Sequence, residues 1–244
     1  MTTTNALAGT DQGPEYTYAD VYDLMSLMTG DEKHSAAATS TLDVLWVLYD
    51  SVLDVSPDNI ADPGRDRFLL SKGHGPMAYY AVLAAKGFFP VAWLADWASY
   101  DSPLGYHPDR TLVPGVEISS GSLGHGLPLA AGTVLGLRAQ GLDSRVVVMV
   151  GDAELDEGSN HEAVELAAAL ELEALTVVVV DNRSASYGVP GRIEERFATN
   201  GWHAVGVDGR DHAVLHRALT RRRRSPGEPG RPSVVVAHVE EKWS

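Results

Sequence analysis

A carboxylate and an amide follow two apolar runs of the chain and together could hold a metal ion. Residues 146–150 lead through a glycine into Asp152, and a second Val-rich run ends in Asp181 and Asn182. If the two runs are neighbouring parallel strands, their polar ends lie at the sheet edge where open α/β folds bind ligands. Carboxylate and amide oxygens suit Mg²⁺ or Ca²⁺, which keep positions for water and phosphate oxygens. An ordinary strand–turn–helix accounts for the same residues, so the spacing alone leaves both interpretations open.

Three histidines outside the apolar runs could take part in proton transfer. His34 lies in "DEKHSAAAT", His74 in "LSKGHGPM" and His107 in "GYHPDR". Each one alone is more typical of a surface or capping residue, but imidazole titrates near neutral pH and suits a site that handles hydroxyl groups. The stretch "SSGSLGHG" adds a loop where the backbone could approach a ligand closely. A helix starting near Ser159 would point its N-terminal N–H groups toward the same edge, an arrangement that favours phosphate.

Hydrophobic periodicity predicts the elements that must position these groups. Val-rich runs bounded by turn residues predict strands at 146–150, 176–181, 203–207 and 233–239, with a further short strand at 68–70. Periodicity near 3.6 residues predicts helices at 16–28, 39–53, 76–86, 122–138, 159–172, 193–200 and 211–221. Continuous Val strands that alternate with helices indicate an α/β fold, with a parallel sheet covered by helices on both faces.

Composition narrows the class of protein. The 244 residues suffice for one large domain, predicted at 16–244 behind a disordered tail at 1–15. The net charge of −14 argues against nucleic acid and anionic membranes as partners. The absence of cysteine excludes disulfides and thiolate metal sites and fits a cytoplasmic protein. No secretory signal or membrane-spanning apolar run is expected, and the arginine-rich stretch at 221–232 is predicted to be an exposed loop.

Four segments together resemble the thiamine-diphosphate-binding half of a transketolase. They are, in order, "RDRFLLSKGH", "PGVEISSGSLGHGL", "GDAELDEGSNHEA" and "DNRSASYG". A lone Gly-Asp would be uninformative, but the combination is specific and the likeness covers nearly the whole chain. The resemblance implies the parallel-sheet diphosphate-binding fold of the transketolase N-terminal domain, with thiamine diphosphate and Mg²⁺ (or Ca²⁺) as cofactors.

The resemblance also assigns the cofactor side of the site. Asp152, Asn182 and the backbone carbonyl of Ser184 would coordinate the divalent ion. The residues expected at the cofactor are His74, Gly121, Leu123, Gly151, Asp152, Ala153 and Asn182.

Three further residues are assigned to the reacting side. His34 and His107 would face the sugar hydroxyls. Glu157 would lie at the contact with a partner domain, near the glutamate that this partner supplies. These three are the candidate catalytic residues.

Several positions depart from the family pattern. Ala153 replaces the third glycine of the diphosphate signature, and a modest rearrangement is expected there instead of lost binding. His34 is followed by Ser35 and Ala36 where Pro-Gly is usual, and His125 replaces a common glutamine. Most of these changes fall on the substrate side, which predicts a non-standard acceptor.

The likeness covers only half of a full-length transketolase, so it implies the N-terminal subunit of a split enzyme. A second subunit would supply the pyrimidine-binding and C-terminal domains, giving a heterotetramer that is active only when assembled. The implied reaction moves a two-carbon ketol unit from a ketose phosphate to an aldehyde or carbonyl, including that of a specialised metabolite. Two alternatives are a 2-oxo acid dehydrogenase α subunit, whose family lacks "LSKGH" and "GSLGxG", and a non-catalytic scaffold, supported only by Ala153.

Overall fold

The computed structural model describes residues 16–29, 39–73, 76–185, 189–220 and 230–241. In these residues five strands form one sheet, in the order β1-β2-β3-β5-β4, and every adjacent pair is parallel. The strands are β1 (Arg67–Leu70), β2 (Val146–Gly151), β3 (Leu175–Asp181), β4 (His203–Asp208) and β5 (Ser233–His238). Each predicted strand is therefore present to within one residue at either end.

Seven α-helices accompany the sheet in the described part of the chain. They are α1 (Tyr18–Ser26), α2 (Leu42–Val47), α3 (Met77–Ala85), α4 (Gly126–Ala139), α5 (Gly158–Ala169), α6 (Arg192–Thr199) and α7 (His212–Leu219). Short 3₁₀ turns at Val91–Asp96 and Ala153–Asp156 add to these.

Two predicted helices need correction. The helix predicted at 39–53 is α-helical only over α2 and continues as a π-helical turn, Leu48–Val52. The pattern of apolar residues does not distinguish this wider turn from an α-helix. The helix predicted at 122–138 begins only at Gly126. The preceding residues form a loop because Gly121 and Gly124 have φ values of +130° and +82°, which a helix does not contain.

The sheet is buried on both faces. Alternate residues of β2 and β3 point to opposite sides, so Val147 and Val178 join one apolar core while Val148 and Val177 join the other. Helices α1, α2, α3 and α7 cover the first core, and α4, α5 and α6 cover the second. The predicted two-faced α/β architecture is confirmed.

The order of the strands brings two chain segments together at the carboxyl edge. β2 and β3 are direct neighbours, with Gly151 opposite Val180. The N–H of Asp152 donates to the carbonyl oxygen of Val180 over 3.2 Å, which continues the pairing by one residue. The turn after β2 therefore lies beside the residues that end β3, as required for a shared site.

The predicted tail at 1–15 lies outside the described residues, as does most of the arginine-rich loop, so the division into tail and domain stays a prediction. Across the described ranges, no helix is both long and apolar enough to cross a membrane.

Candidate functional site

Asp152 lies at the carboxyl edge directly after β2 and is held there by the loop after β3. Its side chain is 3% exposed. The hydroxyl of Ser184 donates to Oδ1 over 2.7 Å, and the backbone N–H of Ala185 donates to Oδ2 over 2.9 Å. The turn after β2 and the loop after β3 are thus fastened to each other through one carboxylate.

Asn182 follows β3 directly and presents an unsatisfied side-chain oxygen. The residue is 2% exposed, and its Oδ1 is buried without a hydrogen-bond donor. Leaving such an acceptor unpaired costs about 1–3 kcal/mol, so its retention calls for a partner. A divalent cation would satisfy it. The neighbouring Arg183 has a φ of +53° and donates its N–H to Asp181, which turns the chain sharply after Asn182.

These residues fit the predicted metal ligands. A carboxylate, an amide oxygen and a backbone carbonyl make a hard oxygen set of the type that Mg²⁺ and Ca²⁺ take. Among the described residues there is no cluster of three or more His, Asp or Glu side chains that could hold a metal. A metal ion at this site would therefore need the amide oxygen of Asn182 and the predicted carbonyl of Ser184 as ligands beside Asp152.

Ala153 starts the 3₁₀ turn that leads from Asp152 toward α5. Only Ala98, Glu171 and Arg183 have positive φ among the described non-glycine residues, so the backbone at Ala153 has no need of glycine. Its methyl group matters only for the space that it takes at the edge of the sheet. Helix α5 begins five residues later, at Gly158, and contributes its N-terminus close to this edge.

His107 lies beside two glycines of the site. Its Nδ1 is 2.8 Å from the carbonyl oxygen of Gly73, within hydrogen-bond distance. A Cβ added at Gly121 would lie 3.1 Å from Cγ of His107, and one added at Gly73 would lie 2.6 Å from the backbone nitrogen of Gly121. We call residues 121–125, which precede α4, the glycine loop. This loop packs against His107 and the loop after β1 so closely that neither Gly73 nor Gly121 has room for a side chain.

Glu157 lies next to the glycine loop and is exposed to solvent. A Cβ built on Gly124 would be 2.7 Å from Cβ of Glu157, which places the two backbones close together. Ser159 Oγ donates to the carbonyl of Gly124 over 2.6 Å and fixes this approach. Leu123 is partly exposed in the same loop. Both side chains are accessible to a partner protein.

Glu154 is a residue that sequence reasoning missed. It is 1% exposed and accepts hydrogen bonds from the Ser71 hydroxyl, from the N–H of Gly124 over 2.9 Å and, more weakly, from the N–H of Gly151 over 3.4 Å. Burial raises the pKa of its carboxyl group, and these hydrogen bonds oppose the effect only in part. The sequence shows an acidic turn but gives no sign that one of its acids is buried.

A cavity of about 720 Å³ adjoins Asp152 on the side of α6. Its lining includes Asp152, Asp181, Arg183 and Ala185 but neither Gly121 nor His107. The predicted cofactor residues of the glycine loop therefore do not line this cavity.

The structure places the described site residues in two groups. Asp152, Asn182 and Ser184 form one group, and Gly121 and His107 belong to a second. His34 and His74 lie outside the described residues, so their predicted roles stay predictions.

Comparisons with known proteins identify the family. Residues 24–239 match the family described as "Transketolase, thiamine diphosphate binding domain". The chain is 35% identical over 211 residues to one subunit of the apulose-4-phosphate transketolase of Actinobacillus succinogenes, a match that covers 84% of this chain and 75% of the relative. The structure resembles the transketolase of Leishmania mexicana with a TM-score of 0.75 and 25% identity, over 92% of this chain and 37% of that one.

A further relative carries a different name. The chain is 54% identical over 226 residues to "Ferredoxin fas2" of Rhodococcoides fascians, which covers 92% of this chain and 73% of the relative. Iron–sulfur clusters are held mainly by cysteine thiolates. The 244 residues contain no cysteine, so this name brings no such cluster to the chain.

The chain belongs to the transketolase family. It is a thiamine-diphosphate-binding subunit of a transketolase-like enzyme, as the four sequence segments predicted. Its likeness to one subunit of the Actinobacillus succinogenes enzyme agrees with the predicted N-terminal half of a split enzyme. The 2-oxo acid dehydrogenase alternative is not favoured.

Proposed function

We propose that this chain, with a second subunit, transfers a two-carbon ketol unit from a ketose phosphate to an aldehyde or other carbonyl acceptor. The observation that carries the proposal is the unpaired, buried Oδ1 of Asn182, at the end of the strand that pairs with the one leading into Asp152. A fold that has lost its cofactor gains nothing from keeping such an acceptor, which argues against a non-catalytic scaffold.

In this proposal the chain holds the cofactor through Mg²⁺. Asp152, Asn182 and the carbonyl of Ser184 would hold the ion, whose positive charge would offset the negative charge of the diphosphate. His74, Gly121, Leu123, Gly151 and Ala153 contact the cofactor itself. When bound, thiamine diphosphate supplies the electron sink for cleavage of a C–C bond next to a carbonyl.

The chain's histidines would act on the sugar hydroxyl groups. His107 accepts or donates a proton at Nε2, because Nδ1 faces the carbonyl oxygen of Gly73 and is thereby fixed as the protonated nitrogen. His34 is proposed to share this task. Glu157, exposed beside the glycine loop, is proposed to meet the glutamate of the partner subunit.

The partner in this proposal is a C-terminal transketolase subunit with pyrimidine-binding and C-terminal domains. Two copies of each subunit would make a heterotetramer, by analogy with a symmetric full-length dimer. The name of the relative from Actinobacillus succinogenes supports a sugar-phosphate substrate. We also propose a cytoplasmic location for the complex.

The acceptor is proposed to differ from an ordinary sugar phosphate. Ser35 and Ala36 replace the usual Pro-Gly after His34, and His125 replaces a glutamine in the glycine loop. In the structure His125 is exposed and its Nδ1 lies 3.3 Å from the carbonyl oxygen of Ser122. An aldehyde from specialised metabolism is the class of acceptor that we would test.

Calorimetric titration tests the proposal most directly. Thiamine diphosphate with Mg²⁺ is titrated into this chain alone and into its mixture with a candidate C-terminal subunit. We expect weak or no binding alone and tight binding in the mixture, because the cofactor site spans both subunits. Absence of binding in the mixture would overturn the proposal in favour of the scaffold.

A further inference from the structure

One buried side chain joins three separate loops of the site. Glu154 Oε1 accepts from the Ser71 hydroxyl in the loop after β1 and from the N–H of Gly124 in the glycine loop. Its Oε2 faces the N–H of Gly151 at the end of β2. Ser71 extends the link, since its Oγ also accepts the N–H of Gly126 over 3.0 Å.

The contact with Gly151 replaces a missing strand partner. The paired part of β1 ends at Leu70, opposite Met149, so the ladder on that side stops before Gly151. The N–H of Asp152 points to β3, and successive residues of a strand direct their N–H groups to opposite sides. The N–H of Gly151 therefore faces the side where β1 has ended, and Glu154 supplies its acceptor.

The main chain around Glu154 is fixed as well. Its carbonyl oxygen accepts from Nδ2 of Asn160 over 2.6 Å, which ties the 3₁₀ turn to α5. Asn160 is 1% exposed. The hydrogen bond from Asn160 thus fixes the main chain of Glu154, whose carboxyl group is directed toward the three loops.

All the donors that face the carboxyl group are neutral, namely one hydroxyl and two backbone N–H groups. A buried polar group is retained against its cost of desolvation where it organises its surroundings. Two of the loops that it joins carry proposed cofactor contacts, at Gly121 and Leu123 and at Gly151. The metal ligand Asp152 lies only two residues before it.

We propose that Glu154 is a positioning residue that holds the loop after β1, the glycine loop and the turn after β2 in the arrangement that the cofactor requires. The inference rests on the proposed function for its last step, but the positioning itself is a property of the isolated chain. Glutamine at this position keeps the shape of the glutamate side chain and one of its two acceptor oxygens. It would turn an N–H toward Gly151, where two donors then face each other.

Amide hydrogen exchange of the isolated chain tests the positioning. E154Q is expected to speed exchange at Gly124 and Gly151 by about tenfold, as when a buried hydrogen bond is lost, with the centres of β3 and β5 unchanged. S71A removes the hydroxyl that donates to Glu154 and accepts from the N–H of Gly126. It should therefore speed exchange at Gly126 and, to a lesser degree than E154Q, at Gly124 and Gly151. E165Q, an exposed acid on α5, is the matched control and should change neither.

Cofactor affinity in the assembled complex tests the consequence. At a temperature where circular dichroism shows all variants folded, E154Q should weaken thiamine diphosphate binding by about tenfold while E165Q binds as the wild type. Wild-type exchange and affinity in folded E154Q would overturn the inference. If E154Q does not fold, wild-type exchange and affinity in S71A would overturn it equally. Failure of the wild-type complex to bind cofactor would instead overturn the proposed function and leave the exchange result standing.

Discussion

The hydroxyl of Ser184 donates to Oδ1 of Asp152 over 2.7 Å, although the two residues follow different strands. The contact depends on the direct pairing of β2 and β3, which sets the ends of both strands side by side. Two of the proposed metal ligands are therefore positioned by the sheet and by hydrogen bonds within the chain.

Replacement of Asp152 by alanine is expected to abolish cofactor retention in the assembled complex. Removal of a direct ligand should cost more than the roughly 10–100-fold loss seen for outer-sphere partners of metal sites. Titration of thiamine diphosphate and Mg²⁺ measures the effect. D156A, which removes an exposed acid of the same 3₁₀ turn, is the control, and full activity of D152A at low Mg²⁺ would contradict the assignment.

Replacement of Asn182 by leucine should separate stability from binding. The variant removes a buried, unpaired acceptor and keeps the branching of the side chain, so the free energy of unfolding of the isolated chain should rise by about 1–2 kcal/mol. Thermal unfolding would register this as a rise of roughly 2–8 °C. Mg²⁺-dependent cofactor binding should be lost at the same time. A destabilised variant that still binds cofactor would show that Oδ1 has another purpose.

Replacement of Ala153 by glycine should have small effects in opposite directions. The backbone at Ala153 is not in the left-handed region, so added freedom should lower the free energy of unfolding by about 0.5–1 kcal/mol. Removal of the methyl group should tighten cofactor binding by less than about tenfold, the equivalent of 1.4 kcal/mol. A139G at the end of α4 is the control for the effect of added backbone freedom on stability. A much larger gain in affinity would mean that the methyl group obstructs the diphosphate.

Replacement of Gly121 by alanine should disturb His107. The new Cβ would lie 3.1 Å from the imidazole, at a φ of +130°. G141A is a matched control, because Gly141 also has positive φ but has open space around its Cβ position. Both variants should lose about 1–3 kcal/mol of stability from backbone strain. Only G121A should shift the NMR signals of His107 and lower the turnover of the complex.

The buried carboxylate of Asp43 should carry much of the stability between α2 and α7. Asp43 is 4% exposed. Its carboxylate accepts hydrogen bonds from the hydroxyl of Tyr18 and, over 2.5 Å, from the guanidinium group of Arg210. Nε2 of His212 lies 2.8 Å from its Oδ1. Removing one partner from such a cluster costs about 3–5 kcal/mol. Arg210 keeps Glu240 as a second partner, so D43A should fall at the lower end of this range.

Thermal unfolding checks this prediction. A loss of about 3 kcal/mol lowers the midpoint by roughly 6–12 °C in a chain of this size. The exposed pair of Lys86 and Asp50 is the control, since D50A should cost less than about 1 kcal/mol. Equal shifts for D43A and D50A would show that the Asp43 cluster is not cooperative.

The sheet and most helices could be predicted because continuous Val strands and amphipathic helices leave a direct pattern in the sequence. The prediction failed where a local conformation carries no pattern, as at the π-helical turn Leu48–Val52 and in the glycine loop before Gly126. Asp152 and Asn182 could be proposed as metal ligands from the sequence because each of them follows a strand. Their adjacency needed the strand order, which the sequence leaves open.

Glu154 shows what sequence reasoning could not supply. Its neighbours Asp156 and Glu157 are exposed acids of the same turn, and nothing in "AELDEG" distinguishes the buried carboxyl group from them. Its burial depends on Ser71 and Gly124, which lie far away in the chain and approach only after the sheet has formed.

Both carboxylate oxygens of Asp152 are already engaged by the loop after β3. Each carboxylate oxygen has a second lone pair, so both hydrogen bonds could persist while Asp152 holds the proposed ion. Ser184 and Ala185 would then fix the orientation of the carboxylate before any ion arrives. The loop after β3 is therefore expected to change little when Mg²⁺ and the cofactor are added.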